Sequence, residues 1–359
     1  MTDPLPTTPP PANTLLGARR ENQWFKYLCA GATWSSFGVL VVLLATVIYQ
    51  SWGMVSWRFL TSFDSSKPEQ AGILAGLWGT AWVVGLTMLL AVPIGIGAAI
   101  YLEENSHDNL FTRVIRVNLA NLAGVPSVIY GILGLTVFVH MFGLFDAGGP
   151  VEHWTGRHVD RIVLWTKDSD GDGAISDEET VYIPLPFDRK AIAGALTLSL
   201  LILPMIIIAT QEALRAVPQS LRHASLALGA THWQTVRHQV LPAALPGVIT
   251  GIILACARAI GESAPLVVVG AATYIAYAPG NVTHLSDFFN SDDSSISVTK
   301  APFDKFTVIP IVIFNWVRQT KKKFQNVAAA GLVVLMGLLV VFNALAVTIR
   351  ARHQRKNRW

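Results

Sequence analysis

Residues 212–247 read EALRAVPQSLRHASLALGATHWQTVRHQVLPAALPG, a mostly polar segment between two long apolar stretches. Its apolar positions Leu221, Ala224 and Leu228 recur at helical spacing, and Gly229 follows them. Apolar residues three and four positions apart lie on one face of a helix, and glycine is common where a helix ends. The segment is therefore predicted to contain a short amphipathic helix that ends at Gly229.

A second short helix is expected after this glycine. Thr231 is a residue type that caps helix N-termini, and Pro242 and Pro246 are expected to close the segment before the next apolar stretch. The segment is thus predicted to form two short helices joined by a turn. A structured connection of this length generally has a function.

The composition places the rest of the chain in a membrane. Of 359 residues, 52% are hydrophobic and 14% are charged, whereas about 25% are charged in an average soluble domain. The net charge is only +4 and the basic residues lie between apolar runs, which excludes a nucleic-acid-binding face. Six stretches are long enough to cross a bilayer core of about 30 Å. The predicted spans are 28–50, 74–102, 116–143, 191–211, 247–274 and 328–349.

Six spans place both termini on one side of the membrane. Residues 1–25 are expected to be a disordered, Pro-rich leader, 26–350 the transmembrane domain and 351–359 a basic tail. The tail is the densest cluster of Lys and Arg near a span end, so the positive-inside rule favours a cytoplasmic location for both termini. The connection 212–246 then also lies in the cytoplasm.

Glycine and proline interrupt the central spans. Such interruptions are tolerated in a membrane where neighbouring helices or a cavity satisfy the freed backbone groups, which is typical of transporters. The alternative is that both residue types are simply more frequent in membrane helices. The interrupting residues are Pro93, Gly95, Gly97, Gly124, Pro126, Pro204, Gly261 and Pro265.

Two charged residues lie deep in the fifth predicted span. Arg258 and Glu262 belong to the sequence RAIGES, and Arg258 lies about 16 Å from a span entry near residue 247 by helical rise. A charge at that depth costs several kcal/mol unless it is paired or faces water. Residues four positions apart share a helical face and can neutralise each other. The span is therefore expected to line a cavity, and the alternative is an ion pair that only fixes helix packing.

The same span carries a stripe of small residues that allows another helix to approach closely. A planar guanidinium matches an oxyanion in two-point geometry, so Arg258 is predicted to contact an anion that crosses the membrane. Glu262 would hold Arg258 when the path is empty. The small residues are Gly247, Gly251, Ala255, Ala259 and Ser263.

The segment 212–247 resembles the signature loop of the type I ABC importer permeases. The family pattern is Glu-Ala-Ala, three residues, Gly, nine residues, Ile, one residue, Leu-Pro. The chain keeps the spacing with His223, Ala224, Ser225, Gly229, Gln239, Leu241 and Pro242. His223 replaces the glutamate and Gln239 replaces the isoleucine.

More narrowly, residues 213–266 resemble the PstA-type permeases of phosphate importers. Other stretches share the resemblance, and together they touch five of the six spans. They are PIGIGAAIYLEE at 93–104, NLANLAGVPSVIYGILGL at 118–135 and FNALAV at 342–347.

This resemblance implies an all-α polytopic protein of the bacterial inner membrane, with six transmembrane helices in the type I ABC importer permease fold. It also implies a PstC-type permease, two copies of a PstB-type ATPase and a PstS-type periplasmic phosphate-binding protein as partners. Arg258 and Glu262 match the charged positions of the family's RAIGE motif. The residues that would form the coupling helix on the ATPase are Ser220, Leu221, Arg222, His223, Ala224, Ser225, Leu226, Leu228, Gly229, Ala230 and Thr231. The alternative for this segment is an amphipathic helix on the membrane surface, with Arg222 near the headgroups.

The function expected from these features is import of inorganic phosphate by a subunit that is not itself an enzyme. The chain contains no Gly-Lys-Ser or Gly-Lys-Thr, so ATP is expected to bind to a partner subunit. The nearest alternative is a permease for sulfate or molybdate, which are also tetrahedral oxyanions. A calcium-sensing membrane receptor without transport is a second alternative, and a self-sufficient channel or secondary carrier is a third.

A calcium-binding loop is predicted in the connection 144–190, which is expected to be a periplasmic insertion. Residues 168–179 read DSDGDGAISDEE and meet every ligand position of a 12-residue EF-hand loop. The flanking RIVLWTK and TVYIPLPF are predicted to be strands rather than helices. The alternative is a solvated acidic turn. The candidate ligands are Asp168, Asp170, Asp172, the Ala174 carbonyl, Ser176 and Glu179.

The connection 275–327 contains FTVIPIVIFNWVRQ at 306–319. Its apolar residues, with Trp316 and Pro310, predict an interfacial helix that lies against the outer membrane surface.

Overall fold

The structure is a computed structural model, and nearly all of the chain that it describes is helical. The helices are α1 (Ala12–Ser51), α2 (Trp57–Thr61), α3 (Leu74–Ile100), α4 (Leu110–Ala123), α5 (Ser127–Gly134), α6 (Ala191–Arg215), α7 (Gln219–Ala227), α8 (His232–Thr235), α9 (Leu241–Gly261), α10 (Ala264–Val269), α11 (Ile309–Arg318) and α12 (Lys323–Lys356). The described residues are 12–106, 109–140, 161–166, 180–184, 189–272, 274–275, 277, 279–281 and 301–356.

Three π-helical turns extend these helices. Tyr101–Asn105 continues α3, Leu135–Val139 continues α5, and Val236–Val240 joins α8 to α9. Among the described residues, five helical stretches are long and apolar enough to cross a membrane, and the bent pair α4–α5 provides a sixth. The all-α polytopic architecture predicted from the sequence is confirmed. The five long stretches are Trp24–Ser51, Leu74–Asn105, Ala191–Arg215, His232–Gly261 and Lys323–Arg352.

The third predicted span, 116–143, is not one continuous helix. Its two halves, α4 and α5, meet at an angle of 105°. Pro126 has extended ψ at the start of α5, and the lack of a proline N–H and the restricted residue before it stop α4 from continuing. The Tyr130 hydroxyl donates to the Leu122 carbonyl across the bend at 2.8 Å. The bend is therefore held by a hydrogen bond between its two halves.

The fifth predicted span, 247–274, is displaced and broken. The helical run starts at His232, passes through Pro242 and Pro246 and ends at Gly261, so the prediction that these prolines close the preceding segment is wrong. The π-helical turn before Pro242 gives the wider backbone spacing that a proline ring needs. Beyond Gly261 the backbone is extended, and the short α10 follows.

The two ends of the chain also differ from expectation. Residues 12–25 belong to α1, so the prediction of a disordered leader over 1–25 is wrong for this part, and 1–11 lie outside the described residues. The last proline of the leader is Pro11, and the chain after it has no proline to prevent a helix. At the other end, α12 continues through 351–356 of the basic tail.

The helix α9 packs closely on α6. A Cβ atom added to Gly251 would lie 2.5 Å from the Ala209 Cβ, and one added to Gly247 would lie 2.7 Å from the Ala213 Cβ. Only glycine allows backbones to come so near. The close helix approach predicted from the small-residue stripe is therefore confirmed, and α6 is the helix that makes it.

The helix α11 buries one face in the helix bundle. Trp316 is fully buried, and its indole N–H donates to Asp64 Oδ1 at 2.8 Å. Its ring centroid lies 5.9 Å from that of Phe59. One apolar face of α11 packs against α3 and α12, whereas Phe314 and Val317 on the other face are exposed. The position of this helix at the membrane interface stays a prediction.

The flanks of the predicted calcium loop form strands, as expected. Strand β1 (Arg161–Thr166) pairs antiparallel with β2 (Thr180–Pro184), and Thr166 lies opposite Thr180. The candidate ligands Asp168, Asp170, Asp172, Ala174, Ser176 and Glu179 all lie outside the described residues.

Candidate functional site

The two charges of RAIGES form an ion pair at the end of α9. Arg258 lies in its last turn, and Arg258 Nε donates to Glu262 Oε1 at 3.3 Å. The side chains are 36% and 20% exposed. Glu262 has extended backbone (φ −80°, ψ 121°), so the pair joins the helix to its break, in contrast to the expected pairing along one helical face.

A second helix interruption lies next to this break. Tyr130, just after the bend between α4 and α5, belongs to the same buried cluster as Ala255 and Ala259 of α9. A Cβ atom added to Gly131 would lie 2.7 Å from the Pro265 Cα, so α5 and α10 are in backbone contact. Interrupted helices that meet at membrane depth are a common way to build a solute site.

The end of α9 supplies its own electrostatics. The last carbonyl groups of a helix lack intrahelical partners, and the helix dipole places partial negative charge there. This partial charge attracts the Arg258 guanidinium, and the Glu262 carboxylate lies 3.3 Å from it. An anion that binds the guanidinium must therefore compete with Glu262.

The second candidate region is the connection between α6 and α9, where the two predicted short helices are confirmed. Gly229 has φ +85° and lies in the turn between α7 and α8, a conformation that favours glycine. Thr231 Oγ1 accepts from the Gln234 N–H at 3.3 Å, and Gln234 Oε1 accepts from the Thr231 N–H at 2.8 Å. This reciprocal capping starts α8.

Arg222 fixes α7 to the ends of two long helices. Its Nη2 donates to Glu104 Oε1 at 2.7 Å and to the Leu214 carbonyl at 2.9 Å, and its Nη1 donates to the Val217 carbonyl at 2.7 Å. The Arg222 and Glu104 side chains are only 12% and 7% exposed. This burial contradicts the alternative in which Arg222 reaches lipid headgroups.

The neighbouring residue Glu103 makes a parallel connection. Arg215 Nε donates to Glu103 Oε1 at 2.9 Å, and Arg116 Nη2 lies 3.9 Å from Glu103 Oε2. Neither Glu103 nor Glu104 was predicted from the sequence to have a role. The sequence feature that could have indicated their role is a pair of acids at the end of a long apolar stretch. In the structure, basic residues from α4, α6 and α7 converge on these acids.

The candidate coupling residues divide between two faces of the connection. Leu221, Arg222, Ser225 and Ala230 are partly buried, and the Ser225 hydroxyl hydrogen-bonds that of Thr235 at 2.9 Å. The other candidates are exposed, and Leu228 is 90% exposed. The exposed candidates are Ser220, His223, Ala224, Leu226, Leu228, Gly229 and Thr231.

A groove of about 320 Å³ runs beside these helices. Glu103 and Glu104 line it, together with Arg215, His223 and His232. His223 stands where the family pattern has glutamate. Within the described ranges, no three His, Cys, Asp or Glu side chains come close enough to hold a metal ion.

The chain is similar to several curated permease proteins. The chain is 29% identical over 228 residues to the "Probable ABC transporter permease protein YqgI" of Bacillus subtilis, covering 64% of this chain and 63% of that protein. It is 33% identical over 233 residues to "Phosphate transport system permease protein PstA 1" of Mycobacterium tuberculosis, covering 64% of this chain and 62% of that protein. The chain thus spans less than two thirds of the length of these relatives.

A third relative matches over a longer region. "Phosphate transport system permease protein PstA" of Yersinia pestis is 25% identical over 348 residues, which cover 94% of this chain and 96% of that protein. Among solved structures, a bacterial ABC transporter involved in the import of the acidic polysaccharide alginate matches with a TM-score of 0.54 and 16% identity. The match covers 95% of this chain and 99% of that chain. The type I ABC importer permease fold expected from the sequence is confirmed.

The family model described as "Binding-protein-dependent transport system inner membrane component" matches residues 91–356. This range holds both candidate regions, the charged break after α9 and the two short helices before it. The chain belongs to the family of inner membrane components of binding-protein-dependent transport systems.

Proposed function

We propose that the chain is the membrane permease subunit of an ATP-driven importer of inorganic phosphate. The observation that carries this proposal is the partly exposed Arg258–Glu262 pair at the break after α9. The phosphate named in the descriptions of two relatives supports the choice of anion. A guanidinium can bind two phosphate oxygens at once, and it keeps its positive charge at every physiological pH.

Phosphate and Glu262 compete for the Arg258 guanidinium, and this competition limits how tightly the path binds phosphate. Phosphate that reaches Arg258 displaces Glu262 from the guanidinium, and the carboxylate reclaims its partner when the anion leaves. This exchange avoids a desolvated, unpaired arginine at any stage, which would cost several kcal/mol in the membrane. Competition of this kind favours passage of the anion over tight binding.

The connection between α6 and α9 is proposed to couple the path to a separate ATPase. The proposed contact residues are the exposed ones on α7 and the following turn, with Leu228 at the tip. Arg222 ties α7 to the ends of α3 and α6, so a displacement of α7 moves both helices. The helical run from His232 to Gly261 also joins this connection directly to Arg258, over roughly 40 Å by helical rise.

The proposed assembly contains a PstC-type permease, a PstB-type ATPase that binds ATP, and a PstS-type phosphate-binding protein. The chain itself would then hydrolyse no ATP. The connection between α6 and α9 and both chain termini would face the cytoplasm of a bacterial cell. The hairpin β1–β2 would lie on the periplasmic side, together with the proposed calcium loop between its strands.

Uptake of radiolabelled phosphate into proteoliposomes tests the proposal, with the chain reconstituted beside its ATPase, partner permease and binding protein. Excess sulfate should leave uptake unchanged. Arg258→Ala and Glu262→Gln should each abolish most of the ATP-dependent uptake, while Lys26→Ala, which removes an exposed charge outside both candidate regions, should not. Phosphate uptake that survives both substitutions would contradict the proposed role of the pair. Uptake of sulfate or molybdate in place of phosphate would assign the other oxyanion, and purification without any ATPase would favour the receptor alternative.

A further inference from the structure

A cavity of about 200 Å³ lies at the end of the helix bundle opposite the connection between α6 and α9. It is formed by the turn after α1, by α2, by the loop before α3 and by the first turns of α12. Ser56, Arg58, Glu69 and Gln70 give it a polar side. Its apolar side comes from residues that include Met54, Phe59 and Val327. The cavity is therefore amphipathic.

The two segments that form this cavity carry net positive charge. Residues 52–73 and 309–327 together carry two acids and six basic residues. Asp64 is buried against Trp316, and Glu69 pairs with Lys323 at 2.9 Å. The remaining basic residues of the two segments form no ion pair with a carboxylate in the described part of the chain. The six basic residues of the two segments, including the paired Lys323, are Arg58, Lys67, Arg318, Lys321, Lys322 and Lys323.

The two segments are in contact, so these charges share one surface. Trp316 and Phe59 pack together, and the Lys323–Glu69 pair bridges the segments at their exposed edge. Lys321 and Lys67 also help to lower the pKa of Glu69, after the larger effect of Lys323. Among the residues that line the cavity, Arg58 is the cation, and the acid Glu69 is paired with Lys323. An anion at Arg58 therefore lies between two segments that together carry net positive charge.

Two exposed tryptophans place this surface at the membrane boundary. Trp52 follows the end of α1 and is 83% exposed, and Trp57 at the start of α2 is 79% exposed. Tryptophan is enriched at the headgroup level of bilayers, where its ring is in apolar surroundings and its N–H is hydrated. The cavity thus lies where lipid phosphates meet acyl chains.

We propose that this cavity binds an anionic phospholipid. The lipid phosphate lies against Arg58, with Ser56 and Gln70 as further hydrogen-bonding groups. The glycerol and the first acyl carbons lie over Met54, Phe59 and Val327. A soluble acidic protein would satisfy the lysines but would leave the apolar side of the cavity and both tryptophans without a partner, so a lipid fits the surface better.

Native mass spectrometry tests the proposal on the full chain with its accompanying subunits, released from nanodiscs of phosphatidylglycerol and phosphatidylcholine in equal amounts. The wild-type chain should retain phosphatidylglycerol preferentially. Arg58→Gln should lower this preference about fivefold, the equivalent of the ~1 kcal/mol that one basic side chain contributes near an anionic surface. Gln70→Trp fills the cavity and should lower retention of both lipids. The matched control is Arg237→Gln, which removes an exposed charge at the opposite end of the helix bundle. It should change neither the preference for phosphatidylglycerol nor the retention of the two lipids.

Equal retention of the two lipids by the wild-type chain would overturn the proposal. So would full retention in Gln70→Trp, because the lipid would then lie on the charged surface and not in the cavity. A third contrary outcome is loss of a soluble acidic subunit in Arg58→Gln with lipid retention unchanged, which would assign the surface to protein docking. Unchanged melting temperatures of both variants establish that the chain is folded in each comparison.

Discussion

Arg222 donates a hydrogen bond to Glu104 across 2.7 Å, although 118 positions separate the two residues in the chain. The pair joins α7 to the π-helical turn that ends α3, and both side chains are largely buried. Arg222 also donates to the carbonyl groups of Leu214 and Val217, so most of its hydrogen-bonding capacity is used inside the protein. Arg222 is therefore a main link between α7 and the long helices, beside the hydrogen bond from Ser225 to Thr235.

Truncation of this arginine should be among the most damaging substitutions in the chain. Arg222→Ala leaves the Glu104 carboxylate buried without a partner, which typically lowers the free energy of unfolding by about 3–5 kcal/mol. The double variant Arg222→Ala/Glu104→Ala should lose less than the sum of its single variants, because no charge remains unpaired. Unfolding in mixed micelles measures both effects. The account would be contradicted if the double variant lost the sum of the free energies of unfolding lost by the two single variants. It would also be contradicted if Arg222→Ala lost no more than the exposed control Arg237→Ala.

The contact between α6 and α9 should not tolerate even one methyl group. Gly251→Ala places its Cβ 2.5 Å from the Ala209 Cβ, so the helices must separate, and overpacking of this kind costs about 1–3 kcal/mol. Gly97→Ala is the matched control, since a Cβ at Gly97 meets no atom within 4 Å and alanine favours helix. Melting temperatures of the two variants provide the test. A fall in Gly97→Ala as large as in Gly251→Ala would show that helical glycine itself matters, and not this contact.

The parts of the fold that follow local rules could be predicted from sequence. Gly229 and Thr231 mark the turn between α7 and α8 because a left-handed residue and a capping hydroxyl act within a few positions. Charge in an apolar span similarly pointed to Arg258 and Glu262, since burial of an ion is costly wherever it occurs. These signals need no knowledge of the tertiary structure.

The outcome at each proline could not be predicted in the same way. Helices bend or break next to Pro126 and Pro265, whereas Pro204 and Pro246 lie inside continuous helices. Neighbouring groups decide whether a helix compensates for the missing N–H, and these groups come from tertiary packing. The Arg222–Glu104 pair was missed for a related reason, because no spacing rule links residues so far apart.

The proposed calcium site should respond to the loss of a single ligand. Glu179 would supply two oxygens to the ion, so Glu179→Gln should weaken calcium binding by the full chain more than Ser176→Ala does. Calcium should also raise the melting temperature of the wild-type chain, because a ligand that binds only the folded state stabilises it. Calorimetric titration in detergent solution, after calcium has been removed with EGTA, measures the binding of calcium. Thermal unfolding with and without calcium measures the change in melting temperature. An equal response of the two variants, or no heat in the wild-type chain, would favour the solvated acidic turn.

The buried contact between Asp64 and Trp316 should make stability depend on pH. Burial raises the pKa of Asp64, although hydrogen bonds from the Trp316 indole and the Ser65 N–H oppose part of the shift. The folded chain then holds this proton at pH values where the unfolded chain has lost it. The contribution of Asp64 to the free energy of unfolding is therefore greatest below its unfolded pKa and declines as pH rises through its folded pKa.

Asp64→Asn should remove this pH dependence, because the amide keeps an oxygen for the indole N–H but does not titrate. Asp64→Ala should instead lose about 1–3 kcal/mol at every pH, since it leaves the buried indole N–H without an acceptor. The measurement is the melting temperature of each variant between pH 4 and pH 8, relative to the wild-type chain. If Asp64→Asn shows the same pH profile as the wild-type chain, the titrating group is not Asp64. If Asp64→Ala is as stable as Asp64→Asn, the hydrogen bond to Trp316 does not hold α11 in place.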